Sequence, residues 1–360
     1  MTTKSTEWPL AKYASQPALQ SRFKATARSL GFRATTRATA AAWKIRLRTR
    51  LREITGVASL RPAPLKPELD AAVACDGYHR QRATIQTEAG VRMTFFILTP
   101  DASSAPTGGP RAAMITPHGH GSGGKVSVAG VRDNPEVAKA IDHYNYDYGV
   151  QLARRGFIVF APDARGFGER REATVAPTQL SGSCQYLNNM AYPLGLTVTG
   201  LWAFDLMRLI DYIETRKDCR KDRIGCGGLS GGGLQTLWLS ALDDRVHTSV
   251  VSGYFYGYKQ SLLDQHQNCS CNYVPHLYEA ADMGDLGALI APRPLLIETG
   301  DQDGLNGAGG LKNVTSQVKI TRQAYNVLGA PKNLVHAIFQ GGHKWDGTQA
   351  IPFLVDHLQK

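Results

Sequence analysis

Apolar residues follow two spacings along most of the chain, and these spacings predict its secondary structure. A short continuous apolar run, such as Phe157–Pro162 (FIVFAP), is typical of a strand that is buried on both faces, and Pro294–Thr299 (PLLIET) is another predicted buried strand. Longer segments with apolar residues every three to four positions lie between such runs and are typical of helices. This alternation indicates βαβ crossovers, so we expect an α/β fold with a mostly parallel, doubly wound sheet of about eight strands and helices on both faces.

The predicted elements begin near residue 81 with a hairpin. The predicted strands are 82–87, 91–99, 112–116, 157–162, 223–228, 246–251, 294–299 and 334–339. The predicted helices are 137–155, 197–217, 231–242, 314–328 and 348–359. Two long segments, about 166–195 and 255–290, interrupt the alternation. Because insertions in such folds usually lie over the carboxyl ends of the strands, we expect both to cover a ligand site; ordinary surface loops are the alternative.

The net charge of +11 is concentrated in the first 50 residues, which contain eleven Lys and Arg but only one acidic residue, Glu7. The rest of the chain is almost neutral, which argues against a groove for nucleic acid. No apolar run reaches the ~20 residues that a membrane helix needs, and the N-terminus lacks the apolar segment of a secretory signal. We therefore expect a cytoplasmic protein with neither nucleic acid nor a membrane as partner.

The basic N-terminus, rich in Ala and Thr, also has the composition of an organelle transit peptide. However, one helical face there collects five apolar residues: Ala40, Trp43, Leu47, Leu51 and Ile54. Since a transit sequence rarely ends in such a stripe, we expect residues 1–79 to form a basic helical arm that packs on a main domain of residues 80–360. Import into an organelle is the alternative.

The six cysteines are scattered along the chain and do not form a disulfide framework, so a reducing compartment is expected. Two of them, Cys269 and Cys271, lie between His266 and His276. This spacing matches none of the common zinc patterns. We therefore expect these residues to pack the second insertion, and we expect no metal.

The strongest chemical signal is the segment Gly228–Gly232 (GLSGG), a G-x-S-x-G motif between a predicted strand and a predicted helix. In a nucleophile elbow the serine occupies a strained turn, so the residues two positions away must be small. The turn presents the hydroxyl at the strand end and directs the next N–H, that of Gly231, at a developing oxyanion. We therefore predict that Ser230 is a nucleophile; a glycine-rich packing turn is the alternative.

A serine nucleophile needs a base, and a histidine base needs a carboxylate to orient it. Both follow Ser230 at the ends of successive predicted strands, in the order Ser, acid, His. The acid is Asp301 or Asp303, after strand 294–299, and the base is His343, after strand 334–339. We favour Asp303 because the acid usually lies a few residues into its loop. Asp301, next to the strand end, suits a turn cap and stays the alternative.

The second oxyanion donor is expected from the loop Thr116–Gly121 (TPHGHG), after an earlier strand. We assign the N–H of His120, with that of Gly121 as the alternate. We expect the side chains of His118 and His120 to pack or to hydrogen-bond locally rather than to bind a metal.

Two further features have competing interpretations. Residues 119–125 match the first seven positions of a phosphate-binding loop, but Val126 stands where Ser or Thr must hold Mg²⁺, which disfavours nucleotide binding. Tyr254, Tyr256 and Tyr258 follow strand 246–251 and line a substrate pocket or pack the sheet edge. We take Tyr254 and Tyr256 as the candidate substrate-binding residues.

Six segments of the chain are similar to segments of known proteins: TPHGHG (116–121), APDARGFGERRE (161–172), GGLSGGG (227–233), NCSCNY (268–273), the run 281–303 and FQGGHKWDG (339–347). They resemble the bacterial and fungal α/β hydrolases that are grouped with dienelactone hydrolases and acetyl xylan esterase-like proteins. The resemblance spans about residue 80 to the end of the chain.

The resemblance implies an α/β-hydrolase fold and a serine esterase without metal or organic cofactor, and it supports Asp303 as the acid. It also implies that Asp163 and Arg165 brace the site after the fourth strand. The acid loop departs from the family at 304–310 (GLNGAGG), where an apolar, Pro-containing stretch is expected, and this leaves the substrate open. Dienelactone hydrolases proper use cysteine as nucleophile, so Ser230 points to ester cleavage instead.

We therefore expect a serine hydrolase that cleaves small carboxylic esters, with short-chain acyl or acetyl esters as candidates, through an acyl-enzyme. A peptidase of the prolyl-oligopeptidase type is one alternative, although the first 80 residues are too short for its usual propeller domain. A non-hydrolytic member that keeps the elbow for structural reasons is the other. The sequence does not determine the natural acyl and alcohol groups or the oligomeric state.

Overall fold

The computed structural model describes residues 10–101, 109–265 and 268–360, and within these residues nine strands form one sheet. The strands are β1 (Glu68–Cys75), β2 (Tyr78–Glu88), β3 (Val91–Pro100), β4 (Arg111–Ile115), β5 (Ile158–Pro162), β6 (Cys219–Leu229), β7 (Thr248–Ser252), β8 (Leu295–Gly300) and β9 (Leu334–Phe339). Their order across the sheet is β1-β2-β3-β5-β4-β6-β7-β8-β9. The pairs β1–β2, β2–β3 and β3–β5 are antiparallel, whereas all pairs from β5 to β9 are parallel. The expected mostly parallel α/β sheet is confirmed.

Helices connect the parallel strands and flank the sheet. They are α1 (Leu10–Tyr13), α2 (Gln16–Thr26), α3 (Arg37–Ile54), α4 (Lys125–Val128), α5 (Pro135–Tyr144), α6 (Tyr148–Ala153), α7 (Cys184–Ala191), α8 (Val198–Thr215), α9 (Gly231–Leu242), α10 (Leu277–Ala280), α11 (Met283–Ile290), α12 (Leu311–Val327) and α13 (Ala350–Leu358). None of these helices combines the length and the apolarity that a membrane crossing requires.

Two apolar cores lie on opposite faces of the sheet, because successive side chains of a strand point to opposite sides. In β5, Ile158 and Phe160 enter a core shared with α3, α8, α9, α11 and α12. Val159 and Ala161 of the same strand enter a second core with α5, α6 and α13. A strand buried on both faces therefore has the continuous apolar sequence from which β5 was predicted.

The observed elements differ from the predicted ones in three places. The predicted helix 137–155 is two helices, because Asn145 adopts a left-handed conformation (φ 55°) and ends α5. The second insertion, expected to be irregular, contains α11. The segment expected to belong to the helical arm contains β1, and the boundary expected near residue 80 falls inside β2. Seven of the eight residues of β1 are exposed, so this strand lacks the apolar alternation that would have predicted it.

Helix α3 of the N-terminal arm packs on the main domain through one face. Ala40, Trp43, Leu47 and Leu51 are buried, and Ile54 is half-buried. The indole N–H of Trp43 donates to the carbonyl oxygen of Leu30 at 2.6 Å. Burial of this face is the physical reason for the apolar stripe in the sequence.

An ion pair joins the arm to the second insertion. The guanidinium of Arg28 donates to both carboxylate oxygens of Asp285 in α11, at 2.7 and 2.9 Å. The N–H of Phe32 donates to the same carboxylate at 2.8 Å, and Asp285 is fully buried. A bidentate pair with a further backbone donor fixes both distance and orientation. We therefore propose that the arm is a lasting part of the folded protein.

Two alanine substitutions in α3 test this proposal. Leu47 is fully buried, so Leu47→Ala is expected to lower the free energy of unfolding by about 2–5 kcal/mol. Ile45 is 69% exposed on the same helix, so Ile45→Ala is expected to change it by less than about 0.5 kcal/mol. Urea unfolding followed by tryptophan fluorescence measures both. Equal and small effects would show that the arm does not contribute to the core.

Candidate active site

Ser230 occupies a strained turn between β6 and α9. Its backbone dihedrals are φ 61° and ψ −119°, a conformation that costs a non-glycine residue on the order of 1–3 kcal/mol. The N–H of Ser230 donates to the carbonyl oxygen of Ser252 at 2.9 Å, which holds the turn against the end of β7. This is the conformation that a nucleophile elbow requires.

The glycines of the motif are explained by contact with the loop after β4. A Cβ at Gly228 would lie 2.5 Å from the carbonyl oxygen of Pro117, and one at Gly232 would lie 2.1 Å from the same oxygen. On the other side, a Cβ at Gly233 would lie 2.6 Å from the carbonyl oxygen of Ser252. The turn therefore fits between the β4 loop and β7 only because these residues have no side chain.

The structure pairs His343 with Asp303. The imidazole Nδ1 of His343 lies 2.7 Å from a carboxylate oxygen of Asp303, which is buried. The other oxygen of Asp303 accepts the N–H of Leu305 at 2.9 Å, which fixes the carboxylate. Asp301 instead accepts the N–H of Gly341 at 2.9 Å and is exposed, so its observed role is to cap the loop.

The ring of His343 lies beside the serine turn. A Cβ at Gly253 would lie 2.9 Å from Cε1 of His343, and Gly253 directly follows the residue that binds the N–H of Ser230. Within the described residues, no hydrogen bond joins the Ser230 hydroxyl to His343. Such bonds are often long in the free enzyme and shorten when substrate binds.

Glu298, a buried residue that the sequence did not single out, supports the histidine loop. One of its carboxylate oxygens accepts the hydroxyl of Ser252 at 2.7 Å and the N–H of Asp346 at 3.0 Å. The other accepts the N–H of Gly347 at 2.9 Å. Burial raises the pKa of Glu298. A glutamate inside a predicted buried strand is the local signal that could have identified it.

The expected oxyanion donors lie next to each other. A Cβ at Gly231 would lie 2.8 Å from Nδ1 of His120, and the hydroxyl of Tyr146 donates to the carbonyl oxygen of His120 at 3.2 Å. In the described part of the chain, the N–H groups of Gly231, His120 and Gly121 have no acceptor. Unpaired N–H groups beside the serine are what an oxyanion hole needs before substrate binds.

The two histidine side chains of this loop have different surroundings. Nε2 of His118 accepts the N–H of Ala164 at 3.2 Å, and burial lowers the pKa of His118, so this ring is neutral and bonded locally as expected. Nε2 of His120 instead contacts the thiols of Cys184 at 3.5 Å and Cys271 at 3.3 Å. The two insertions therefore meet at His120, which no spacing in the sequence indicated.

The lysine of the segment that resembles a phosphate-binding loop is already paired. Nζ of Lys125 lies 2.5 Å from the carboxylate of Asp163 and also contacts Glu169, and Lys125 and Asp163 are both buried. Asp163 follows β5, the fifth strand rather than the fourth, because β1 precedes the predicted hairpin. Nearby, Arg165 binds Asp205 at 2.7 and 2.9 Å. These pairs brace the loops beside the site and leave Lys125 no freedom to bind phosphate.

A cavity of about 310 Å³ opens beside Ser230. Its lining residues are His120, Ser230, Gly231, Tyr254, Tyr256, Asn268, Cys269, Asn272 and Leu305. The second insertion thus forms one wall, as expected for a segment that covers a ligand site. Tyr258 is turned away from the cavity, and its hydroxyl donates to the carbonyl oxygen of Asn272 at 2.9 Å.

Tyr256 lines this cavity and carries a polar group without a partner among the described residues. Its hydroxyl is buried and has no hydrogen-bond partner among the described residues. Burial raises the pKa of Tyr256 well above its usual value, so the hydroxyl stays neutral and able to donate. A buried hydroxyl without a partner is costly, and a ligand that accepts its hydrogen bond would remove that cost.

The chain is similar to known proteins both in sequence and in fold. The Abhydrolase family matches residues 12–346. A relative named "Putative hydrolase YtaP" from Bacillus subtilis (strain 168) is 30% identical over 217 residues, which cover 59% of this chain and 67% of that protein.

Two solved structures illustrate the shared fold. The structure of a "putative acetyl xylan esterase (BF1801)" from Bacteroides fragilis NCTC 9343 has a TM-score of 0.79 at 17% identity, and the match covers 100% of this chain and 97% of that one. A CE15 glucuronoyl esterase from Teredinibacter turnerae T7901 has a TM-score of 0.63 at 16% identity, covering 93% and 90%. At such identities the likeness shows the fold alone.

Proposed function

Because the chain belongs to the Abhydrolase family of α/β hydrolases, we propose that this hydrolase cleaves carboxylic esters with Ser230 as its nucleophile. One arrangement carries the proposal: the strained serine turn and two unpaired N–H groups border one cavity, and the Asp303–His343 pair lies beside the same turn. Each component occurs alone in other settings, but together they match the requirements of acyl transfer. The names of the solved relatives, which are esterases, support the ester as the substrate class.

In the proposed reaction the Ser230 oxygen attacks the ester carbonyl carbon while His343 takes the hydroxyl proton. Asp303 holds Nδ1 of His343, so that Nε2 acts as the base. The carboxylate of Asp303 also stabilises the imidazolium that forms. The carbonyl oxygen becomes an oxyanion that accepts hydrogen bonds from the N–H groups of Gly231 and His120. Collapse breaks the bond to the alcohol, which receives the proton from His343.

The second half of the reaction repeats these roles with water. His343 takes a proton from water, the resulting hydroxide attacks the acyl-enzyme, and collapse returns the proton to the Ser230 oxygen. The N–H of Gly121 is the alternate to that of His120 in the oxyanion hole, since the two residues are adjacent in the loop after β4. No metal or organic cofactor takes part in these steps.

The cavity supports a short, uncharged ester as the substrate. None of the described lining residues is Arg, Lys, Asp or Glu, and the volume of about 310 Å³ suits a small group rather than a peptide. Tyr254 and Tyr256 form one wall, with ring centroids 5.2 Å apart. We propose that the Tyr256 hydroxyl donates a hydrogen bond to an oxygen atom of the substrate.

Removal of the nucleophile is the first test. Ser230→Ala is expected to abolish hydrolysis of p-nitrophenyl acetate, because no acyl-enzyme forms without the serine oxygen. A fluorophosphonate label is expected on the peptide that contains Ser230 in the wild-type protein. Turnover by Ser230→Ala equal to that of the wild type, or a label on another serine, would contradict the proposal.

The two acidic residues of one loop provide a matched pair. Asp303→Asn is expected to lower kcat by about 10⁴, because the amide cannot hold His343 in the required tautomer. Asp301→Asn keeps an oxygen that can accept the N–H of Gly341, so its kcat is expected to stay within about threefold. Steady-state kinetics with p-nitrophenyl acetate measure kcat of both variants. A large loss in Asp301→Asn with a small one in Asp303→Asn would make Asp301 the acid.

Tyr256→Phe separates a binding role from a packing role. If the hydroxyl binds substrate, kcat/KM should fall by about 2- to 12-fold, since one hydrogen bond to a neutral group is worth about 0.5–1.5 kcal/mol. Thermal stability should stay the same or rise, because the variant removes a buried hydroxyl without a partner. Unchanged kcat/KM in Tyr256→Phe would assign Tyr256 to packing alone.

A further inference from the structure

Four side chains that attract metal ions meet at the wall of the cavity. One nitrogen or sulfur atom from each of them lies within 4.8 Å of all the others: His120, Cys184, Cys269 and Cys271. The Sγ atoms of Cys184 and Cys269 are 3.1 Å apart. Nε2 of His120 is 3.5 Å from Sγ of Cys184 and 3.3 Å from Sγ of Cys271.

We propose that these four residues form a structural zinc site. Three thiolates and one imidazole are one of the common ligand sets of structural zinc, with bonds of about 2.0–2.3 Å. A tetrahedron with such bonds has edges of roughly 3.5 Å between nitrogen and sulfur and roughly 3.8 Å between two sulfurs. The two His120 contacts, at 3.5 and 3.3 Å, are close to the first value, and the Cys184–Cys269 contact of 3.1 Å must lengthen when the metal binds. Soft thiolate ligands also disfavour Mg²⁺ and Ca²⁺, which prefer oxygen.

The surroundings of the cluster suit a structural rather than a catalytic metal. The protein supplies all four ligands, which leaves no position for water or substrate, as in closed zinc sites. Cys184 and Cys271 are buried, while Cys269 borders the cavity and provides a route of entry. The amide of Asn272 donates to Sγ of Cys271 at 3.7 Å and can stabilise a thiolate.

A metal at this position would join three segments that are distant in sequence. His120 lies in the oxyanion loop, Cys184 begins α7 in the first insertion, and the other two thiols lie in the second insertion. With Nε2 bound to the metal, the ring proton of His120 must lie on Nδ1, the nitrogen beside Gly231. The metal would therefore fix the second insertion, which forms a wall of the cavity, and the backbone of the expected oxyanion donor. The consequence for the oxyanion donor rests on the proposed function, but metal binding does not.

The ligand set departs from the expectation that these residues only pack the insertion. The spacing from His266 to His276 gave no zinc pattern, and the structure shows why that test failed. His276 is exposed and pairs with Glu279, His266 lies outside the described residues, and the partners of Cys269 and Cys271 come from elsewhere in the chain. Ligands from separate segments leave no fixed spacing in the sequence.

Metal analysis of the full-length protein, purified under reducing conditions without chelator, is the decisive experiment. We expect about one zinc per chain by mass spectrometry of the elements, as a four-ligand site binds one ion. After replacement by Co²⁺, we expect thiolate-to-cobalt charge-transfer bands and the strong visible bands of tetrahedral cobalt. Absence of metal, or stoichiometric iron in place of zinc, would overturn the assignment, and neither readout depends on activity.

Matched cysteine variants locate the site. Cys269→Ser and Cys271→Ser are each expected to lower the zinc content at least tenfold, whereas Cys75→Ser, outside the cluster, keeps it. An unchanged zinc content in the double variant that carries both Cys269→Ser and Cys271→Ser would overturn the proposal. So would a Cys184–Cys269 disulfide in peptide maps of the protein as isolated. If the variants do not fold, the cobalt spectrum of the wild type still decides.

One further variant separates this proposal from the proposed function. Ser230→Ala leaves all four ligands intact, so it is expected to contain one zinc and to hydrolyse no ester. Zinc without esterase activity in the wild type would contradict only the function. Activity of the wild type without zinc would contradict only the metal site.

Discussion

The backbone conformation of Ser230 is the constraint on which the rest of the site depends. A φ of 61° is unfavourable for serine, so the surrounding structure must hold it in place. The hydrogen bond from its N–H to Ser252 and the close contact of Gly228 and Gly232 with Pro117 provide that support. Both contacts require β4 and β7 on either side of β6, and the sheet order provides this arrangement. The strained conformation of Ser230 therefore depends on this order of strands in the sheet.

The parallel direction of the strands explains why distant residues meet at this turn. The carboxyl ends of β6, β8 and β9 lie at one edge of the sheet, so the loops that carry Asp303 and His343 come together without any long-range motif. Glu298 adds a link along that edge, because it binds both Ser252 beside the serine turn and the backbone after His343. A buried carboxylate with three donors is a rigid connection, and here it joins two of the loops that border the site.

Sequence reasoning succeeded where a signal is local. The strained turn needs glycines at fixed positions, and buried strands need apolar runs. Once the strands are predicted, the acidic residue or histidine that follows each strand end can be read from the sequence. It failed where a feature depends on contacts between distant residues or where its local sequence signal is weak. The exposed strand β1 has no apolar alternation, and the break at Asn145 interrupts no apolar periodicity. Lys125 stands at the position of the lysine in a phosphate-binding loop, and only the fold shows that it pairs with Asp163.

The N-terminal arm is connected to the cavity by a chain of polar contacts. Arg28 binds Asp285, whose other contacts include the N–H of Asp282 at 2.9 Å. Asp282 accepts the N–H of Tyr258 at 3.0 Å, and the hydroxyl of Tyr258 donates to the carbonyl oxygen of Asn272, which borders the cavity. Each of these groups is held by its neighbour, so the contacts run without a break from the arm into the second insertion. Residues about 200 positions before Ser230 are therefore joined to the wall of the cavity beside it by direct polar contacts, and the family match likewise begins in the arm, at residue 12.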